Sequence, residues 1–315
     1  MNHLMVKFSN FTFLSSDGGH SCYAALWQPE GETPRGVVQI VHGVAEHMGR
    51  YDRFARFLAE HGWAVCGEDH LGHGETGSQD GKFGYFGPED GWELVTRDVR
   101  QLRLLMGERF PGAPYFLLGH SMGSFLTRTY LCRYPGTVDG AVLSGTGQES
   151  ALLVGAGKVL AGLIARLREP EAVSPLVNEL SLGAYNKKFR PNRTSADWIS
   201  RDEKVVDAYL RDPWCTFTPT VGMFRDMLGG LQYIASDRAL SQMDPDTPVY
   251  LFSGDQDPVG ACGKGVRKVY GYFQRHGTKD LTIKLYPGGR HEMLNELNRE
   301  EVYGDVLSWL DGHVE

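Results

Sequence analysis

The sequence predicts an α/β protein: a mostly parallel sheet of eight strands, helices on both faces, and a helical insertion after the sixth strand. Three observations predict it. Short apolar runs recur between longer stretches whose apolar residues fall at three- and four-residue steps, the alternation of a parallel sheet with crossover helices. Two runs near the start flank Ser15-Ser-Asp-Gly-Gly19, a hairpin signal that sets an antiparallel pair ahead of the parallel strands. The alternation then stops after Leu143 and resumes at Thr247, which marks a separate block between two strands.

In order along the chain, the hairpin takes residues 8–14 and 22–27. Residues 36–41 and 63–67 are apolar runs that read as buried strands, with helical spacing over 51–61 between them. The helical pattern 92–110 leads to a strand at 115–118, and the pattern 125–134 to one at 138–143. Residues 147–245 differ in character. They hold an apolar helix over 154–167, a basic and aromatic stretch over 185–198, and further helical pieces through Ser236. This block is expected to cover the sheet's carboxyl edge, leaving 1–146 and 246–315 as one core. Residues 249–252 read as a buried strand, whereas Leu281-Thr-Ile-Lys-Leu-Tyr286 alternates more and belongs nearer an edge. A helix over 300–310, with Val302, Val306, Trp309 and Leu310 on one face, ends the pattern.

Composition narrows the function. Hydrophobic residues make up 41% of 315, enough for a sizeable core and too many for a disordered chain. Forty glycines, nearly twice the usual share of about 7%, call for many tight turns. Thirty-two Lys and Arg against 39 Asp and Glu leave a net charge of −7, the wrong sign for tracking a phosphate backbone, so no nucleic acid is expected as a partner. No run approaches the roughly 20 apolar residues of a membrane span, and residues 1–10 lack the basic-then-apolar pattern of a secretory signal. Cys22, Cys66, Cys132, Cys215 and Cys262 are odd in number and scattered, with no CxxC pair. They read as reduced thiols in a cytoplasmic protein. The oligomeric state is left open.

Gly119-His-Ser-Met-Gly123 follows a strand and precedes a helix, the context in which G-x-S-x-G makes a nucleophile elbow. The sharp turn holds Ser121 in a strained backbone, and glycines on both sides make room for it. Serine needs a base, and the base an orienting acid. Behind such an elbow the partners follow in the order Ser, Asp or Glu, His. Of the downstream histidines, His276 ends a helical pattern and His313 lies near the end of the sequence. His291 stands in a loop after the last strand and is the expected base. Gly254-Asp-Gln-Asp257 offers two carboxylates. Pro258 restricts Asp257 to extended conformations, which favours it as the acid, and Asp255 is expected to bond turn amides. The oxyanion donors are expected to be the N–H of Met122, after the nucleophile, and of Val44, behind Gly43 in the loop after the third strand. His42, His47, His70 and His73 carry none of the patterns of a zinc site, and His120 reads as packed beside the nucleophile; no metal and no cofactor are expected.

His42-Gly-Val-Ala-Glu-His-Met-Gly-Arg-Tyr51, Asp69-His-Leu-Gly-His-Gly74 and Gly119-His-Ser-Met-Gly123, followed by G-x-x-D and a terminal His, resemble the monoacylglycerol lipase and lysophospholipase-like (serine aminopeptidase S33-type) branch of the α/β-hydrolases, bacterial members included. The resemblance covers nearly all of the chain outside the insertion. It implies the α/β-hydrolase fold, supports Asp257 over Asp255 and Val44 as an oxyanion donor, and makes the insertion a lid. It implies a cofactor-independent serine ester hydrolase acting on a monoacylglycerol, a lysophospholipid or another single-chain acyl ester. Aryl (cinnamoyl) esters and small amides or peptides are the alternatives for the same triad, and a non-catalytic binding protein is the remote one. Lids set the substrate, so the reaction type is better determined than the substrate.

The helical stretch 151–167 is apolar nearly all round, the mark of a buried helix. Gly155, Gly157 and Gly162 weaken it, as a movable cover over an acyl pocket would require. On that reading Leu160 and Leu163 line an acyl tunnel, and Lys187, Lys188, Arg190 and Arg193 face anionic lipid or a phosphate headgroup during transient membrane contact.

Overall fold

The chain enters its sheet as an antiparallel hairpin, β1 (Val6–Leu14) and β2 (Ser21–Pro29), in the computed structural model, which describes residues 4–180 and 182–314. Residues 1–3 of the segment read for a secretory signal, Ser181 within the insertion and Glu315 lie outside the described residues. The parallel strands follow with their helices: β3 (Val37–Val41), α1 (Asp52–Glu60), β4 (Ala64–Glu68), the short α2 (Gly74–Ser78), α3 (Gly91–Arg109), β5 (Tyr115–His120), α4 (Met122–Arg133) and β6 (Gly140–Ser144). The insertion contributes α5 (Ala151–Arg168), α6 (Pro175–Leu180), α7 (Leu182–Tyr185), α8 (Glu203–Arg211), α9 (Val221–Tyr233) and α10 (Asp237–Leu240). The chain then returns through β7 (Val249–Gly254), α11 (Lys264–Arg275), β8 (Leu281–Tyr286) and α12 (Arg299–Asp311).

The strand order is β1-β2-β4-β3-β5-β6-β7-β8, with β2 antiparallel to both neighbours and every later pairing parallel. Every residue of β3 to β7 is buried, which is why those strands read as unbroken apolar runs; β8, at the edge, is only partly buried and alternates. Two apolar clusters lie on the two faces. Val99, Leu126, Tyr130, Val269 and Phe273 bring α3, α4 and α11 onto one face, and Phe54, Leu58, Val302 and Val306 bring α1 and α12 onto the other. Each such side chain contributes about 1.5–3 kcal/mol on burial.

From β3 the chain steps outward to β4, then back across to β5 on the other side of β3. The connections therefore diverge from the carboxyl ends of β3 and β5, and open α/β sheets leave a crevice at such a switch point. Helix α4 starts at Met122, three residues ahead of the sequence expectation, because the turn at Ser121 is too abrupt for an intervening loop. Arg128 of α4 is fully buried, and no carboxylate pairs with it among the described residues. It donates to the carbonyl of Gly147 and the Gln148 side chain, both at 3.0 Å, and to Ile234 O at 3.4 Å, so one side chain holds the start of the insertion and the end of α9. No helix among the described residues is long and apolar enough to cross a membrane.

Candidate active site

Ser121 joins β5 to α4 with φ 53° and ψ −121°, a left-handed conformation that L residues avoid unless the surroundings impose it. Its flanking glycines are sterically required. A Cβ on Gly123 would meet the carbonyl of Val41, and one on Gly119 would meet Gly123 and the Thr127 hydroxyl. The Ser121 N–H donates to Ser144 O at 2.9 Å, which locks the turn to β6.

His291 lies in the loop after β8, 2% exposed, with Nδ1 at 3.0 Å from each carboxylate oxygen of Asp257. Asp257 follows β7 and is fully buried. It also accepts from the Ser253 hydroxyl at 2.8 Å and the Val259 N–H at 2.9 Å. Burial alone would raise its pKa, but His291 and these hydrogen bonds prevail and hold the carboxyl below its ordinary value. Burial likewise disfavours a charged His291, yet the Asp257 carboxylate outweighs it and the imidazole pKa is raised. Asp255 turns the other way. It accepts from the Gly288 N–H at 2.8 Å and the Gln256 side chain at 3.0 Å, as a turn residue does. His120 stacks 4.7 Å from His291 and touches the Ser144 hydroxyl at 3.1 Å. Burial and the neighbouring imidazole push its pKa down to about 3, so it stays neutral and packs.

Val44 and Met122 line one cavity with Ser121 and His291. Met122 opens α4, and its N–H lies ahead of the helix's own hydrogen-bond ladder. The loop carrying Val44 is braced from below, because the Gly43 N–H donates to the Glu46 carboxylate, which also takes the Tyr51 hydroxyl at 2.9 Å and Arg50 at 3.1 Å. Arg50 forks onto Glu292, the residue after His291, with both bonds at 2.7 Å. The Arg50 charge holds the Glu292 carboxyl below its ordinary value. Arg50 thus ties the loop of Val44 to the loop of His291. Sequence reasoning assigned no role to Glu46, Arg50 or Glu292. The only signal was the spacing E-H-x-x-R within the motif, and Glu292 has no sequence mark beyond its place beside His291.

The insertion closes over this site. Trp198 lies 5.0 Å from the His291 ring and Tyr185 lies 5.1 Å from Trp198, while Tyr209 lies under Arg50 at 4.9 Å. The Glu292 N–H donates to Ile199 O at 2.7 Å. The sequence marks Tyr185 and Trp198 only as the bounds of an aromatic stretch, and it does not mark Tyr209. The cavity beneath measures about 530 Å³, with Val154, Leu160, Phe224, Leu228 and Leu231 among its apolar walls. Leu160 lines this cavity. Leu163 does not: it is 53% exposed on the outer surface of α5 with Leu152 and Val159, because three residues along a helix bring it to the far edge of the face that Leu160 presents inward. Helix α5 is therefore neither wholly buried nor free; one face roofs the cavity and the other meets solvent. The basic residues are also mostly engaged, Lys187 with Glu179 at 2.7 Å and Arg193 with Asp207 at 2.7 Å.

The four histidines of the loops after β3 and β4 fall into two groups. His42 and His70 stack at 4.0 Å with His73 beside them, all buried; burial drives the pKa of His73 down to about 3 and that of His42 well below its ordinary value. His47 faces the insertion instead, and its ring, Asp212 and Cys215 place one ligand-type atom each within 4.8 Å of one another. The Gly49 N–H donates to His47 Nδ1 at 3.2 Å, so Nε2 carries the ring proton and donates it to Asp212 at 2.8 Å. The contact ties the loop after β3 to the insertion.

A family profile described as Serine aminopeptidase, S33 matches residues 32–298. A monoacylglycerol lipase of Mycolicibacterium smegmatis is 32% identical over 302 residues, covering 94% of this chain and 95% of that one. The human monoglyceride lipase is 28% identical over 312 residues, covering 97% and 91%. A thermostable carboxyl esterase from Bacillus coagulans, solved in complex with glycerol, superposes with a TM-score of 0.91 at 30% identity, covering 98% of this chain and 99% of that one. With that match, the sheet described above and relatives aligned from end to end, the chain belongs to the Serine aminopeptidase, S33 family and is a serine ester hydrolase of the α/β-hydrolase fold.

Proposed function

We propose that the protein hydrolyses single-chain acyl esters of the monoacylglycerol or lysophospholipid type through an acyl-enzyme. The Ser121 oxygen attacks the ester carbonyl while His291 takes its proton, and Asp257 holds the imidazole in the tautomer that can accept it. The carbonyl oxygen gains negative charge and is met by the N–H groups of Val44 and Met122, each worth about 3 kcal/mol of barrier. His291 then protonates the leaving alcohol, which departs as the acyl-enzyme forms. A water deprotonated by the same imidazole releases the fatty acid and restores Ser121.

The observation that carries this reading is Ser121, His291, Val44 and Met122 on one cavity whose other walls are mostly aliphatic and aromatic, with Glu46, Gln148, Glu149 and Glu292 among the polar exceptions. A volume of about 530 Å³ suits one flexible chain with a small polar head. The family's description names an aminopeptidase, whose substrate brings a free ammonium. Of the three carboxylates that line the cavity, Glu46 and Glu292 already serve Arg50, which leaves only the exposed Glu149 to meet that charge. The relatives named monoacylglycerol lipase, and the one esterase bound to glycerol, support a glyceride. We further propose that residues 147–245 are a lid on a core of 1–146 and 246–315, and that its exposed Leu152, Val159 and Leu167 make transient contact with lipid. Five free cysteines support a reducing, cytoplasmic setting.

A fluorophosphonate probe, followed by turnover of p-nitrophenyl esters from acetate to palmitate beside monoolein, methyl ferulate and an aminoacyl anilide, tests this. Labelling that requires Ser121 and a preference for monoolein is expected. No Ser121-dependent adduct sinks the mechanism, and preference for the ferulate or the anilide sinks the substrate class.

A further inference from the structure

Four of the five cysteines are buried, and Cys262 is exposed. It stands in the loop that follows the catalytic acid, and its N–H donates to the Asp257 carbonyl at 2.8 Å. Against its sulfur lies Lys188, an exposed residue of the insertion's 3₁₀ turn Asn186–Phe189. Nζ is 2.6 Å from Sγ and 3.4 Å from the Gln256 carbonyl. An N–H···O hydrogen bond is about 2.9 Å long, and sulfur, a larger atom than oxygen, holds a donor further away. Yet 2.6 Å is too long for a direct nitrogen–sulfur bond, since even a disulfide joins two sulfurs at about 2.04 Å. One oxygen, bonded to both atoms and bent between them, spans this gap.

We propose that Lys188 and Cys262 are a modification site for peroxide, forming a covalent Nζ–O–Sγ crosslink that fastens the insertion to the acid loop. The first hydrogen peroxide oxidises the thiol to the sulfenic acid: an S–O bond forms, the peroxide O–O bond breaks and water leaves. The second takes one hydrogen from the Lys188 amine and one from the sulfenic oxygen as the N–O bond forms, and departs as two waters. The net change is a four-electron oxidation that adds one oxygen and removes two hydrogens. Two dithiols supply the four electrons and four hydrogens that return amine, thiol and a water. No second cysteine competes for the sulfenic acid, because the other four are buried.

The crosslink would join positions 74 apart in the chain. The turn it holds continues from Tyr185, which packs on Trp198 and through it on His291. Phe189, next to Lys188, lies 4.4 Å beneath the guanidinium of Arg290, the residue before His291. Oxidation therefore pins the inner wall of the insertion against the acid loop and slows the entry of long acyl chains. This consequence rests on the ester-hydrolase reading; the crosslink itself does not.

The test is peptide mapping by mass spectrometry of the full chain, purified without reductant and treated with hydrogen peroxide. A crosslinked pair holding Lys188 and Cys262 is expected, about 14 Da heavier than the two peptides together, removed by dithiothreitol and absent from Lys188→Arg and Cys262→Ser. Oxygen on Cys262 alone, at about 16 Da per atom, a pair about 2 Da lighter than the sum, or an unreacted Cys262 each overturns the crosslink. Monoolein turnover is then read on the same samples. A several-fold loss in the unsubstituted protein, restored by dithiothreitol and missing in both variants, is expected, and unchanged turnover despite the crosslink overturns the gating role. Failure of the reduced protein to label at Ser121 would remove the ester reading and leave the mass result standing.

Discussion

Asp255 and Asp257 differ by two positions and by everything around them. Asp257 is sealed under a hydroxyl, an amide and the His291 ring, whereas Asp255 bonds the Gly288 amide across the turn. Ser121→Ala and His291→Ala are therefore expected to abolish esterase activity with the fold intact by circular dichroism. Asp257→Asn should lose on the order of 10⁴ in kcat, because the imidazole loses its tautomer, and Asp255→Asn far less. If Asp255→Asn is the more damaging, the acid is misassigned. The raised pKa of His291 also has a sign. The base must be neutral to take the Ser121 proton, so kcat/KM should fall on the acid side with an inflection above the ordinary 6.5. Asp257→Asn removes the largest raising charge and leaves only Glu292 and Glu46 against burial, so its residual activity should show the inflection at lower pH. A wild-type inflection below 6.5 contradicts this environment.

At the scale of elements, two loops and one helix shape the site. Arg50 bridges the Val44 loop and the His291 loop through Glu46 and Glu292, which are 4% and 5% exposed. Arg50→Met leaves two buried carboxyl groups without their cation and should cost about 3–5 kcal/mol in urea unfolding; a loss below about 1 kcal/mol would mean that water reaches the pair. Helix α5 lies along α9, and a Cβ on Gly157 would come 3.2 Å from Leu228, so this glycine sets the spacing of the two helices while Gly155 and Gly162 face open space. Leu160→Trp should depress turnover of long-chain esters and spare acetate and butyrate, whereas Leu163→Trp, on the solvent side, should leave the chain-length profile unchanged. Equal effects of the two, read on the p-nitrophenyl ester series, would place the acyl chain elsewhere.

For the whole molecule, a net charge of −7 opposes an anionic surface, and Lys187 and Arg193 are spent on Glu179 and Asp207. Exposed Leu152 and Leu167, both 85% accessible, leave apolar contact as the means of reaching lipid. Sedimentation with phosphatidylcholine vesicles should therefore bind the protein, hold up in high salt and fall with Leu152→Glu. Binding that requires anionic lipid and vanishes with salt would return the role to the basic residues.

What could be read along the chain was whatever depends on local order. Period and burial wrote β3 to β7 as apolar runs and β8 as an alternating edge, and the elbow at Ser121 announced itself because only glycine fits where a Cβ would meet Val41 O. The order Ser, Asp, His then pointed to His291 in the loop after the last strand, and Pro258 together with the G-x-x-D resemblance pointed to Asp257. Contacts between segments far apart in sequence had no local signature. Glu292 found Arg50 only once the sheet brought the loops after β3 and β8 together, and Trp198 found His291 only once the insertion folded back over the sheet. The same holds for Leu163, whose side chain is chemically that of Leu160. A helix shows its composition in the sequence, but which of its faces meets the cavity is decided by what it packs against, here α9 on one side and solvent on the other.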